Sequence, residues 1–177
     1  MGDSNDMTII TGIKPIDLND KAAIIKEIYD FCDKYAYAKV EHALEISPNG
    51  NVYNLIGTKY SVNSETIGFE ALKGSISIHN HPVPKDENMG DSFSLDDLLF
   101  AAEHNLGKQY LVSGERRDVF KFTEKYTEIE IYNAYVNAEK EMNYRAEIGL
   151  INIYWRQEEI IKILNEFLKG FEFYNEF

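Results

Sequence analysis

At 177 residues and 44% hydrophobic content, the chain is long enough to bury a core and too apolar for wholesale disorder; no run of it approaches the roughly 20 apolar residues of a membrane helix. A formal charge of −12 opposes non-specific attraction to phosphate backbones, which disfavours nucleic-acid enzymes. One cysteine, Cys32, excludes an internal disulfide framework and suits a reducing, cytoplasmic setting; the polar, acidic stretch Met1 to Asp6 does not read as a secretory signal.

Residues 1–17 are expected to form a flexible N-terminal segment. Residues 18 to 38 carry Ile24, Ile25, Ile28, Phe31 and Cys32 on one face at helical spacing, with Asp17 or Asn19 as the cap. Those apolar neighbours predict a buried, inert thiol at Cys32. Lys39 to Ile46 reads as a strand, Ser47-Pro48-Asn49-Gly50 as a tight turn, and Val52 to Ile56 as the second arm of a hairpin. A short helix over Glu65 to Leu72 ends at Gly74. Ser75 to His79 alternates like a strand and delivers His79-Asn80-His81-Pro82 at its C-terminal end. Residues 82 to 93, with two prolines, a glycine and several acids, read as an exposed, mobile loop.

Ser94 to Asn105 is an amphipathic helix, and Gln109 to Ser113 with Val119 to Phe122 form two strands around a turn tipped by solvated Arg116-Arg117. From Thr127 the pattern becomes helical. One stripe is Ile131, Ala134, Tyr135, Ala138 and Met142; the other is Ile153, Ile160, Ile161, Leu164, Phe167 and Leu168. Alternating aromatics over Phe171 to Phe177 suit an edge strand or a partner-binding tail. The order of elements predicts an α+β fold or an α/β/α sandwich, with 18–126 as the core and 127–177 as C-terminal helices packing on it or on an oligomeric partner.

Three residues carry the chemistry. Side chains two apart on a strand share a face, so His79 and His81 can reach one ion. Asp97 sits one turn inside a helix capped by Ser94, where the positive helix end keeps it ionised, as a ligand must be. Two imidazoles and a carboxylate suit Zn2+, and three protein ligands leave the fourth position of a catalytic tetrahedral site open. Hydrolysis also needs a base for the attacking water, and Glu41 or Glu45 on the neighbouring strand can present one. Ser94 can donate to an oxyanion. His42 and His104 read as bystanders, the first in the core or behind the site, the second a surface or partly packed residue of the motif helix. Taken separately, His-Asn-His-Pro would be a polar turn and Ser94-x-x-Asp97 a capping box; their ordered joint occurrence is what points to a metal.

An upstream glutamate, then H-x-H-P, then S-x-x-D followed by leucine, resembles the JAMM motif of the JAB/MPN metallopeptidases. The match runs through Glu41, His79, His81, Pro82, Ser94, Asp97 and Leu98 and covers roughly residues 39 to 123. The short HNHP form with Phe-Ser-x-x-Asp looks most like bacterial and phage-associated JAB-like proteins. The resemblance implies a mixed sheet flanked by helices, a cytidine-deaminase-like sandwich, and a zinc peptidase or isopeptidase, in many members acting on ubiquitin-like conjugates. By the same resemblance His79, His81 and Asp97 bind zinc, Glu41 is the base and Ser94 the oxyanion donor. One departure is the fifteen positions (82 to 96) between His81 and Asp97, longer than the common family spacing; extra length in a polar loop is thermodynamically tolerable, and the loop from Val83 to Phe93 then reads as a gate over the site. The rivals are a non-catalytic MPN-like scaffold and a zinc hydrolase of a non-peptide amide.

Overall fold

A computed structural model describes residues 7–175. Among them seven strands make one mixed sheet in the order β1-β3-β2-β4-β5-β6-β7. The strands are β1 (Ile9–Pro15), β2 (His42–Ile46), β3 (Asn51–Ile56), β4 (Ile76–Asn80), β5 (Lys108–Ser113), β6 (Arg116–Phe122) and β7 (Phe171–Asn175). Only β4 and β5 pair in parallel, joined by the crossover through the helix that carries Asp97. The α+β expectation holds, and no helix among the described residues is long and apolar enough to cross a membrane.

One face of the sheet is covered by α1 (Lys21–Tyr35), whose Ile28, Phe31 and Cys32 pack on Leu44, Ile46, Val52, Ile78 and Val112. The cap is Asp20, accepting from the Ala23 amide at 3.0 Å, and not Asp17 or Asn19; Asp17 is occupied by the Asn19 amide at 2.9 Å. The other face carries α3 (Leu95–Glu103), α4 (Glu128–Glu147) and α5 (Arg156–Leu164) over a larger core that includes Leu98, Leu111, Phe120, Ile131, Met142, Ile160, Ile161 and Phe171. Each such aliphatic side chain contributes about 1.5–3 kcal/mol on burial.

Several expectations change. Ile9–Pro15, inside the segment expected to be flexible, forms edge strand β1 against β3. The helix expected over Glu65 to Leu72 splits at Gly68 (φ +95°) into a 3-10 turn over Ser64–Ile67 and α2 (Phe69–Leu72), because a left-handed residue cannot continue a helix. Ile153 and Phe167 leave the second stripe: Ile153 lies in a 3-10 turn (Ile153–Trp155) and Phe167 beyond the end of α5, and both side chains are exposed. The C-terminal part is more than helices. Phe171–Asn175 is edge strand β7 on β6, so 127–177 completes the sheet as well as its helical layer. Residues 176 and 177 of the proposed tail lie outside the described residues, as do residues 1–6.

The loop 82–93 departs in part: residues 84–88 are exposed as expected, but the loop is anchored. It is not free: Phe93 is fully buried, with its ring edge-on to Phe120 at 4.6 Å, and the Glu115 amide donates to the Asn88 carbonyl at 3.0 Å. Gly114 (φ +59°) is a glycine for a steric reason, since a Cβ there would collide with that same Asn88 carbonyl. Nor is Arg116 a solvated hairpin tip. It is 3% exposed and paired with Asp118 and Glu158.

Candidate metal centre

His79 lies in the last turn of pleat of β4, and His81 one residue beyond it, where its amide still pairs with the Val112 carbonyl at 3.1 Å. The extended backbone therefore carries through the pair and sends both rings to one side. Their Nε2 atoms are 3.1 Å apart. Asp97 arrives from the first turn of α3. Ser94 caps that helix by accepting from the Asp97 amide at 3.2 Å, while Asp97 Oδ2 accepts from the Ser94 amide at 2.7 Å. The capping box thus fixes the carboxylate, leaving Asp97 Oδ1 3.3 Å from His79 Nε2 and Oδ2 3.7 Å from His81 Nε2.

These separations fit one ion. Zinc bonds of roughly 2.0–2.1 Å at tetrahedral angles place ligand atoms about 3.3 Å apart, which the three distances bracket. The protonation pattern fits too. His81 Nδ1 is 3.2 Å from the Asp91 carbonyl oxygen, which can only accept, so Nδ1 is the donor there and Nε2 is the ring nitrogen turned toward His79 and Asp97. Burial, resisted by Asp97 and helped by His81, pushes the His79 pKa down to about 4, so this ring is neutral near pH 7. Burial alone would raise the Asp97 carboxyl; the two imidazoles and the Ser94 hydrogen bonds outweigh it and hold Asp97 below the usual carboxylate range. Two imidazole nitrogens and a carboxylate converge there, all within reach of one another. A metal cation satisfies all three.

A second convergence, His104 with Glu65 and Glu103, fails the same test. His104 Nε2 bonds Glu65 at 3.0 Å, but its Nδ1 is buried with no partner, whereas a ligating imidazole donates its other N–H. His104 is 1% exposed, not a surface residue, and its hydrogen bond ties the 3-10 turn to α3. His42 stacks on Tyr35 of α1 at 3.9 Å, away from the triad.

Glu41 precedes β2 and shares a cavity of 190 Å³ with His79 and Asp97, and a wider groove of 550 Å³ with His81, Ser94 and Asp97. Burial raises its carboxyl pKa to about 7; His81 and the Val62 amide oppose that rise while Asp97 adds to it. This places it where a general base is efficient, and a cation at the triad would draw the value back down. Glu45 is different. It is fully buried four residues further along the chain, in β2, and accepts from the hydroxyls of Ser64 (2.6 Å), Ser77 (2.8 Å) and Ser75 (3.2 Å). Water cannot reach it, so of the two candidate bases only Glu41 faces the cavity.

Burial of Glu45 has a thermodynamic consequence. Desolvation raises its pKa from 4.5 to about 7 against the three hydroxyl donors. Between those values the folded chain holds a proton that the unfolded chain has released. The resulting stabilisation is full below about pH 4.5 and is lost as pH rises through 7, at about 1.36 kcal/mol per pH unit, or about 3 kcal/mol in all. Glu45→Gln is expected to flatten this dependence: melting curves between pH 5 and 8 should converge less steeply than in the parent chain. Parallel pH profiles would refute the assignment.

Ser94 lines the groove, yet its hydroxyl hydrogen is directed at Asp97 Oδ2, 2.9 Å away. In this state it orients Asp97; service to an oxyanion would require the hydroxyl to rotate. Asn80, between the two histidines, had no role in the sequence reading. It is fully buried, its Oδ1 accepting from the His42 amide at 2.6 Å and its Nδ2 donating to the Val40 carbonyl at 3.1 Å. It therefore holds the backbone on both sides of Glu41. No local pattern announces a contact across 38 and 40 residues.

Comparisons of the chain with protein-family models, with curated proteins and with solved structures return no match. The functional reading stands on the motif and on this geometry.

Proposed function

We propose that the chain is a zinc-dependent hydrolase of JAMM type, in the manner of the JAB/MPN metallopeptidases, cleaving a peptide or isopeptide bond. The observation that carries the reading is the convergence of His79, His81 and Asp97 beside a cavity into which Glu41 opens. When bound, zinc would supply a Lewis acid for the scissile carbonyl and would lower the pKa of water there. Glu41 takes the proton from the attacking water and delivers it to the leaving amine. Ser94 holds Asp97 and, on rotating, donates to the developing oxyanion. The 550 Å³ groove beside the triad, lined in part by Tyr60, Pro82 and Pro84, is where a protein or peptide substrate would lie, ubiquitin-like conjugates among the candidates.

The test is a panel of ubiquitin-like conjugates, linear peptides and small amides, offered before chelation, after it, and after restoring one equivalent of zinc. Release of an amine from a peptide or isopeptide that follows the zinc supports the proposal. Turnover confined to small amides replaces it with a non-peptide amidohydrolase, and a zinc-loaded chain that turns over none of the panel favours the scaffold.

A further inference from the structure

We propose that the buried Arg116–Asp118 pair, closed by Glu158 of α5, is a positioning device for His81: it clamps the two residues flanking Asp91, whose carbonyl keeps the proton of His81 on Nδ1. The inference rests on the metal-centre reading and adds that the C-terminal helical layer sets the affinity of the site.

The contacts form one chain. Arg116 Nε donates to the Gly90 carbonyl at 2.8 Å, and its Nη1 reaches Asp118 Oδ2 at 3.0 Å and Glu158 Oε2 at 2.9 Å. Ser92 Oγ donates to the same Asp118 Oδ2 at 2.7 Å, and Asn175 of β7 donates to Oδ1 at 2.6 Å. Trp155 covers the guanidinium at 5.3 Å. Gly90 and Ser92 are thereby both fixed, and the residue between them presents its carbonyl to His81 Nδ1 at 3.2 Å. The backbone of His81 is held by the same loop: Ser113 Oγ accepts from the Gly90 amide at 3.0 Å and donates to the His81 carbonyl at 2.6 Å.

Arg116 is 3% exposed and Asp118 2%. A buried ion pair is weak evidence of a role in stability, since desolvation consumes most of its attraction. What apolar groups cannot do is aim Gly90 and Ser92. A planar fork that addresses a carbonyl and two carboxylates at once can. Outer partners of this kind fix the tautomer of a ligating imidazole and its direction.

The experiment compares the full chain with Ser92→Ala, Glu158→Gln and Arg116→Lys. Arg116→Lys keeps the charge beside Asp118 and lacks the fork that reaches Gly90, so it separates aim from charge. Two quantities are read below each variant's melting temperature: the ring 15N shifts of His81 in metal-free protein, and the zinc dissociation constant by chelator competition. The parent chain is expected to hold the proton on Nδ1. The variants are expected to mix tautomers and to bind zinc about 10–100-fold more weakly. Folded variants with the parent tautomer and zinc affinity, even at a lowered melting temperature, overturn the proposal and leave the network a structural brace. A parent chain that binds no zinc overturns the proposed function, while the metal-free tautomer still decides the positioning claim.

Discussion

Glu41→Gln is expected to bind zinc as the parent chain does and to lose turnover by about 10²–10⁴-fold, the range that a positioned general base supplies. The separation of the two effects follows from geometry. Glu41 lines the cavity but is not one of the three converging ligands. Its backbone is fixed independently of its charge, by the Thr58 carbonyl (2.7 Å), by the Gly57 amide (2.8 Å) and by Asn80 on either side. A glutamine retains an oxygen for the Val62 amide that now bonds the carboxylate, so the shape of the wall should persist. Single-turnover hydrolysis and metal content measured on one preparation check both halves. A variant that turns over at the parent rate removes Glu41 from the reaction, and Glu45, sealed beneath three hydroxyls, cannot replace it.

Asp97→Ala and His79→Ala are expected to abolish stoichiometric zinc binding, each leaving two of three protein ligands. The loss should exceed the roughly 10–100-fold that an outer partner costs. The two variants differ without metal. Asp97→Ala also dissolves the capping box at the start of α3 and should lower metal-free stability by about 1 kcal/mol. Thermal melting with and without zinc separates the contributions. For the parent chain at a hundredfold excess of free zinc over Kd, binding raises stability by about 2.7 kcal/mol, and in either variant that increment should vanish. An undiminished zinc-induced rise in Asp97→Ala would remove the carboxylate from the ligand set.

The triad was legible because its geometry is local. Two residues apart on a strand, and three residues after an N-cap, are periodicities that a sequence displays, and the structure realises both. Glu41 was legible as a neighbouring-strand acid, but its distinction from Glu45 was not. The two share a face, and what separates them is the roof of Ser64, Ser75 and Ser77, drawn from two other segments. Arg116 looked like a hairpin tip because the partners that bury it, Gly90 and Glu158, lie 26 and 42 residues away. The loop of 82–93 misled for a related reason. Proline, glycine and acid composition reports weak local preference, whereas this loop is held by Phe93 in the core and by β6 beneath it. Strand β1 was hidden by its exposure: as an edge strand it leaves Ile9 and Ile13 uncovered and shows no buried face to read.

The central claim is that one cation sits among three side chains with a corner left over. Crystals of the zinc-loaded chain, with anomalous differences collected on both sides of the zinc edge, address it directly. The account predicts a single strong peak about 2.0–2.2 Å from His79 Nε2, His81 Nε2 and a carboxylate oxygen of Asp97, with its free side toward Glu41. A peak on Glu65 and His104 instead, or zinc-soaked crystals with the three side chains in place and no peak among them, would contradict it.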